Sequence, residues 1–112
     1  MNAVSSLPIA HIVTWRLNGQ TQSERQSQAR VIVEAFENAR HAVDGLLQME
    51  VGANIIDAPD AWDVALYMVF ASRSALDAYL VDPLHLQIKA LVGPMRASRG
   101  QADFEIPCRL AD

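Results

Sequence analysis

Along the first part of the chain, Ile9, His11, Val13, Trp15 and Leu17 alternate with Ala10, Ile12, Thr14 and Arg16. A period of two predicts a strand from about Pro8 to Leu17, largely apolar on both sides. Asn18-Gly19 breaks it. The period then changes: Ala29, Ile32, Phe36, Ala39 and Val43 recur at helical spacing and form one apolar stripe. Thr21 with Glu24, or Ser23 with Gln26, fits a capping box opening this helix, and Asp44-Gly45 supplies its stop.

Two further strands are predicted, from about Leu46 to Ile55 and from about Ala61 to Ala71, joined by a loop with the turn-forming residues Asp57, Pro59 and Asp60. In the earlier one, Gln48, Glu50, Gly52 and Asn54 alternate with Leu47, Met49, Val51, Ala53 and Ile55; the later one is apolar throughout except Asp63. Ser72 is placed to cap a short helix ending near Leu80. Asp82-Pro83 interrupts and restarts it, because aspartate suits a cap and proline the first helical turn. The restarted piece carries Leu84, Ile88, Leu91, Val92 and Met95 and ends near Gly93-Pro94, and a last strand spans about Gln101 to Ile106.

The order β-α-β-β-α-β predicts an α+β chain of the ferredoxin-like kind. It has one four-stranded antiparallel sheet with the first and third strands in the centre, within one domain over about residues 7–107. Two helices cover only one face of such a sheet. The other would carry Ala10, Ile12, Ala65, Tyr67, Val69 and Ala71. Strands apolar on both sides are normally buried on both sides, so a homodimer packed sheet on sheet is expected. Asp63 on that side is then expected to meet an arginine of the second copy, such as Arg16.

Composition narrows the classes. The chain has 112 residues, enough for one core, and 51% hydrophobic residues exclude a disordered tail. Nine Lys and Arg against thirteen Asp and Glu give a net charge of −4, with one lysine and scattered arginines, which argues against a nucleic-acid partner. No apolar run is long enough to cross a membrane. The N-terminus does not read as a signal peptide, and the lone Cys108 cannot close an internal disulfide, so a cytoplasmic location is expected. Cys108 has only Arg109 as a basic neighbour and is a poor candidate for a reactive thiol. Three histidines without metal-ligand spacing and the lack of a glycine-rich phosphate loop imply neither metal nor cofactor.

Several short segments resemble the stress-responsive α/β-barrel (Dabb) family: His11-Ile12-Val13, Gly52 with Asn54, Asp63-Val64-Ala65-Leu66 before Phe70-Ala71-Ser72, Ala75-Leu76 with Tyr79, Asp82-Pro83-Leu84-His85, and Asp103-Phe104-Glu105. The resemblance covers about His11 to Glu105, and its most specific part is Tyr79-x-x-x-Pro83-x-His85. It implies a dimeric α+β barrel. Members similar in this segment are plant polyketide cyclases, which close a poly-β-keto chain by aldol condensation without a cofactor. By that resemblance Tyr79 and His85 are the catalytic pair; His11, which shares with Val13 and Trp15 the strand face expected toward the helices, is a candidate substrate-binding residue with them and with Val64 and Leu66. Val64 stands where the cyclase has a pocket histidine.

On their own chemistry, His85 in the first turn after Pro83 is disfavoured as an imidazolium by the helix N-terminus and suits a general base. Tyr79 can donate its hydroxyl to a developing enolate. The competing reading is structural: a histidine and a tyrosine at a helix junction can bond each other or a backbone carbonyl and lock the break. His11 can equally be a satisfied core residue, His41 near the first helix's end a surface one, and Trp15 and Trp62 core or pocket wall. Three functions remain open: a small-molecule pocket protein holding an apolar carbonyl compound, with cyclase or lyase chemistry or none; a cofactor-free monooxygenase or isomerase; and a structural or stress-protective oligomer.

Overall fold

A computed structural model of the chain describes residues 7–107. Cys108 and Arg109 lie outside the described residues. The elements are β1 (Ile9–Leu17), α1 (Gln22–Ala39), β2 (Leu46–Ala53), β3 (Val64–Phe70), α2 (Arg73–Leu80), α3 (Pro83–Val92), a 3-10 turn (Gly93–Met95) and β4 (Arg96–Glu105). The sheet is antiparallel with order β2-β3-β1-β4, so the two strands apolar on both sides are central, in a ferredoxin-like α+β arrangement.

Local chemistry explains the boundaries. Thr21 caps α1: its hydroxyl accepts the Glu24 N–H at 3.1 Å, while the Glu24 carboxylate reaches back to the Gln20 N–H at 2.7 Å. Gly45 adopts φ +75 in the turn into β2, and a Cβ there would lie 2.7 Å from the Ala75 Cβ. Ser72 caps α2 through the Ala75 N–H. Asp82 caps α3 through the Leu84 N–H at 2.8 Å, with Pro83 in the first turn. The helical layer is therefore broken at Asp82-Pro83 by a second N-cap rather than by a kink.

One face of the sheet meets the helices. Val13, Trp15, Met49, Val64, Leu66, Met68 and Phe70 pack there with Ala29, Ile32 and Phe36 of α1, Leu76 and Tyr79 of α2, and Ile88 and Val92 of α3. Burying aliphatic and aromatic side chains of this size, at roughly 1.5–3 kcal/mol each, is what holds helices to sheet. Leu91 stays exposed.

The opposite face keeps Ala10, Ile12 and Thr14 beside Val69, Tyr67 and Ala65, with Phe104, Ala102 and Gly100 across from them on β4. The buried residues of the helices all belong to the core cluster of the first face.

The start of the last strand needs correction. β4 begins at Arg96, five residues before the predicted start, because Arg96–Gly100 extends the ladder along Trp15–Leu17 without an apolar alternation to announce it. Trp62 lies on the face away from the helices. The Arg16 guanidinium carbon stands 4.5 Å from the centre of its ring, and the ring covers Gly100, where a Cβ would meet it at 3.6 Å. Asp63 turns its carboxylate to the Leu17 N–H at 2.8 Å, closing the end of the sheet, while Arg16 is held by Trp62. His41 is exposed in the turn after α1.

Candidate functional site

The residues singled out by sequence are positioned by three elements. His11 sits on β1 between Met68 of β3 and Asp103 of β4, facing the helices, and is only 1% exposed. Tyr79 is on the last turn of α2, and His85 on the first turn of α3. The break at Asp82-Pro83 folds the chain so that their rings face each other, with centroids 4.4 Å apart. The His11 and Tyr79 ring centroids are 6.2 Å apart.

Between these side chains lies a cavity of about 450 Å³, within the range of small-molecule sites. His11, Val13, Trp15, Leu66, Tyr79 and His85 line it, joined by Leu80, Ile88 and Val92 and, on its polar side, Lys89, Arg96, Arg99 and Gln101. Val64 does not. It starts β3 opposite Trp15 and Ala53, buried toward the β2 side, whereas the cavity lies over β1 and β4. A larger cleft of about 790 Å³ under the β2–β3 loop contains neither histidine nor tyrosine.

The hydrogen bonds set the orientation of each ring. His11 Nδ1 is 2.5 Å from Asp103 Oδ1, and the other Asp103 oxygen accepts from Gln101 Nε2 at 2.7 Å. Burial raises the Asp103 carboxyl, but the bonds from Gln101 and His11, with the His11 and Arg99 charges, hold it below its ordinary value. A carboxylate accepts, so Nδ1 carries the hydrogen of this bond and Nε2 is the ring nitrogen left toward the cavity. His85 Nδ1 is 3.2 Å from the Leu80 carbonyl oxygen, and an N–H must donate to a carbonyl, so in the neutral His85 ring Nε2 is the lone-pair nitrogen.

Burial pushes His85 below the ordinary histidine value, and the nearby His11, Lys89 and Arg99 charges add to this against the opposing Leu80 bond. Its neutral form is thereby favoured. Burial pushes the Tyr79 hydroxyl well above its ordinary range, outweighing Arg99, so it stays a donor. Among the described residues that hydroxyl has no protein partner, yet no fully buried side-chain oxygen or nitrogen lacks one; the hydroxyl therefore opens onto the cavity. The site offers one hydroxyl donor and two imidazole nitrogens to whatever enters.

Asp103, Arg96 and Arg99 were not picked out as site residues by sequence. Asp103 stood in a recognisable segment, but its contact with His11 depends on the β1–β4 register, which spans ninety-two residues of sequence separation.

The curated proteins include no match to the chain. Among solved structures, a dimeric ferredoxin-like protein of unknown function from Thermobifida fusca superposes with a TM-score of 0.79 at 23% identity, covering 93% of this chain and 95% of that one. The hydroxynitrile lyase of Passiflora edulis superposes with a TM-score of 0.75 at 17% identity, covering 96% and 100%. SnoaB, a cofactor-independent oxygenase from Streptomyces nogalater, gives 0.69 at 9% identity, covering 96% and 100%. At such identities the likeness establishes the fold. In sequence, residues 9–106 match the family model described as Dabb, Stress responsive A/B Barrel Domain, and the chain, matched over nearly all of its length, belongs to that family.

Proposed function

We propose that the cavity between the sheet and α2–α3 is a small-molecule site for acid–base chemistry on a carbonyl compound, without a cofactor, in the manner of a cyclase or lyase. The observation that carries this reading is the convergence of the unpartnered Tyr79 hydroxyl with His85 and His11 on one space of about 450 Å³. His85 Nε2 takes the proton from the carbon beside the carbonyl, and the Tyr79 hydroxyl donates to the oxygen as negative charge builds on it. The same proton returns to carbon or oxygen when the product forms. His11, held by Asp103, presents a second imidazole to the opposite side of the bound molecule. A lyase and a cofactor-independent oxygenase on the same fold support small-molecule chemistry at such a site.

The molecule acts as a homodimer, joined through the sheet face that the helices leave bare. The apolar side chains of that face support this, as does the dimeric state of the Thermobifida protein.

The test is deuterium exchange at the carbons beside the carbonyl of 4-phenyl-2-butanone, followed by NMR in heavy water. The protein is expected to accelerate exchange, and His85→Ala to lose about 100-fold or more of that rate. Tyr79→Phe is expected to lower the rate more than the affinity. Because burial lowers the His85 value, its neutral form persists below pH 6.5, so the rate should hold steady through that point and fall only at lower pH.

One observation favours a second reading. The His85 bond to the Leu80 carbonyl bridges the helix break, so the ring can serve as a clamp of a structural or stress-protective oligomer. Unchanged exchange in both variants, with a lowered melting temperature, would establish the clamp instead.

A further inference from the structure

The cavity has an electrostatic polarity that the acid–base chemistry does not use. The chain carries nine Lys and Arg against thirteen Asp and Glu, yet Lys89, Arg96 and Arg99 all line this one space and no Asp or Glu does. Among the described residues the ion pairs are His11–Asp103, Arg40–Glu37 and Arg73–Asp77, and none involves these three cations. The acid next to the cavity, Asp103, is occupied by His11 and Gln101.

Backbone irregularity creates the cluster. Arg96 and Arg99 are an odd number of residues apart and would point to opposite sides of a regular strand. The β1–β4 register shifts between Arg16 and Leu17: Arg16 pairs with Ser98 and Leu17 with Arg96, leaving Ala97 as an extra residue. A bulge of this kind re-aims side chains, and here it brings both arginines to the side of Trp15 and Leu17. Lys89 lies one helical turn after His85 on α3, on the same face, and completes the group from the opposite wall.

The Arg99 charge is felt by Tyr79, His85 and Asp103 alike, which places it within electrostatic reach of the reacting groups. Guanidinium forks match the oxygens of carboxylates and phosphates, and three unpaired cations repel one another until an anion is bound. The cavity's other wall is Val13, Leu66, Leu80, Ile88 and Val92.

We infer that the ligand of this cavity is an amphipathic anion, its carboxylate or phosphate held by Arg99, Arg96 and Lys89 and its apolar part against α3 and the sheet. Taken with the acid–base reading, on which this specific form rests, the substrate class is a carbonyl compound bearing an anionic group.

Calorimetric titration with three matched probes tests it: 2-oxo-4-phenylbutanoate, 4-phenyl-2-butanone and 4-phenylbutanoate. The keto acid is expected to bind at least about tenfold more tightly than the ketone. That ratio should collapse toward one in Arg99→Gln combined with Arg96→Gln, and persist in Arg99→Lys, which keeps the charge. Exposed positions such as these leave folding intact, which circular dichroism checks. Equal affinities for keto acid and ketone in the unaltered protein, or a ratio that survives loss of both arginines, would overturn the inference while leaving the carbonyl site standing. Tight binding of 4-phenylbutanoate and of the keto acid, without deuterium exchange in the latter, would keep the anion site and remove the acid–base reading. Replacing 4-phenylbutanoate by 4-phenylbutylphosphonate distinguishes phosphate from carboxylate, and failure of every anion to bind refutes the anion site.

Discussion

The two edge strands, β2 and β4, are amphipathic in opposite senses. On β2, Leu46, Met49, Val51 and Ala53 face the helices opposite Phe70, Met68, Leu66 and Val64, while Gln48 and Glu50 face away. On β4 the side toward the helices carries Arg99, Gln101, Asp103 and Glu105 opposite Trp15, Val13, His11 and Ile9, and the far side carries Gly100, Ala102 and Phe104. In the β2 half, buried Met49 and half-buried Leu46 and Val51 pack beneath α1, whose C-cap Arg40 binds the Met49 carbonyl at 2.7 Å, and the exposed Ala53 borders the cleft of about 790 Å³. The β4 half keeps polar groups under α2 and α3, and the space among them is the cavity. Inverting the polarity of one strand does two things together: it brings polar side chains to the helix side and offers an apolar surface on the other. The best-buried apolar packing and the candidate site thus lie on different parts of one sheet.

The largest effect should appear on exchanging like positions of the two edges. Met49 is 2% exposed, so Met49→Ala should lose about 2–5 kcal/mol through the lost contacts and the cavity left behind. Gln101→Ala, on the equivalent side of β4, should stay within about 0.5 kcal/mol, since Gln101 is exposed to the cavity and outside the core cluster. Urea denaturation of the two variants checks this, and equal losses would mean that the β4 half is as tightly packed as the β2 half.

On the outward sides the order reverses. Ala102 lies opposite Ile12 in the middle of the bare face, whereas Gln48 is already polar. If the homodimer forms through this face, Ala102→Asp should weaken it by about 100-fold or more, because an unpaired carboxylate is buried there, and Gln48→Asp should leave it unchanged. Sedimentation equilibrium reads both. A dimer unaffected by Ala102→Asp would move the interface elsewhere.

The Asp103 carboxylate is the most deeply engaged polar group of β4. Asp103→Leu should cost about 1–3 kcal/mol by leaving His11 Nδ1 without its acceptor. Its value is held below 3.8 in the folded protein, so this contribution is complete above pH 3.8 and is lost as the pH falls through the folded value. Melts of both proteins should therefore converge in strong acid. A constant difference would show that the loss arises from packing.

The same contrast explains what could be read from sequence. Alternation on β1 and β2, the helical stripe of α1 and the caps at Thr21, Ser72 and Asp82 are local signals, and they specify the element order and the placement of the central strands. Tyr79 and His85 were legible because a cap and a proline fix the turn between them. The start of β4 was not: Arg96–Gly100 has no apolar alternation, and the extra Ala97 breaks the period. Asp103 against His11, and Arg96 beside Arg99, are products of strand register, which alternation in a polar edge strand does not specify. Val64 illustrates the converse, since its strand was correct but its distance from the β1–β4 side required the sheet.

The smallest effect concerns the roof over β4. Asp82 Oδ1 accepts the Leu84 N–H at 2.8 Å, satisfying a donor that the first turn of α3 would otherwise leave open. Asp82→Ala should lose about 1 kcal/mol, the usual size of an N-cap contribution. The cap also fixes where α3 begins, and with it the approach of His85 to the Leu80 carbonyl and to the Tyr79 ring. Fraying of that turn should therefore act on the β4 half alone: the His85 ring signals in NMR should shift or broaden, while those of Met49 and Phe36 stay in place. Asp82→Asn, which keeps a capping oxygen, should restore both the stability and the His85 signals. If Asp82→Ala melts with the unaltered protein and its His85 signals are unmoved, the proline alone holds the break, and the cap has no part in placing the histidine.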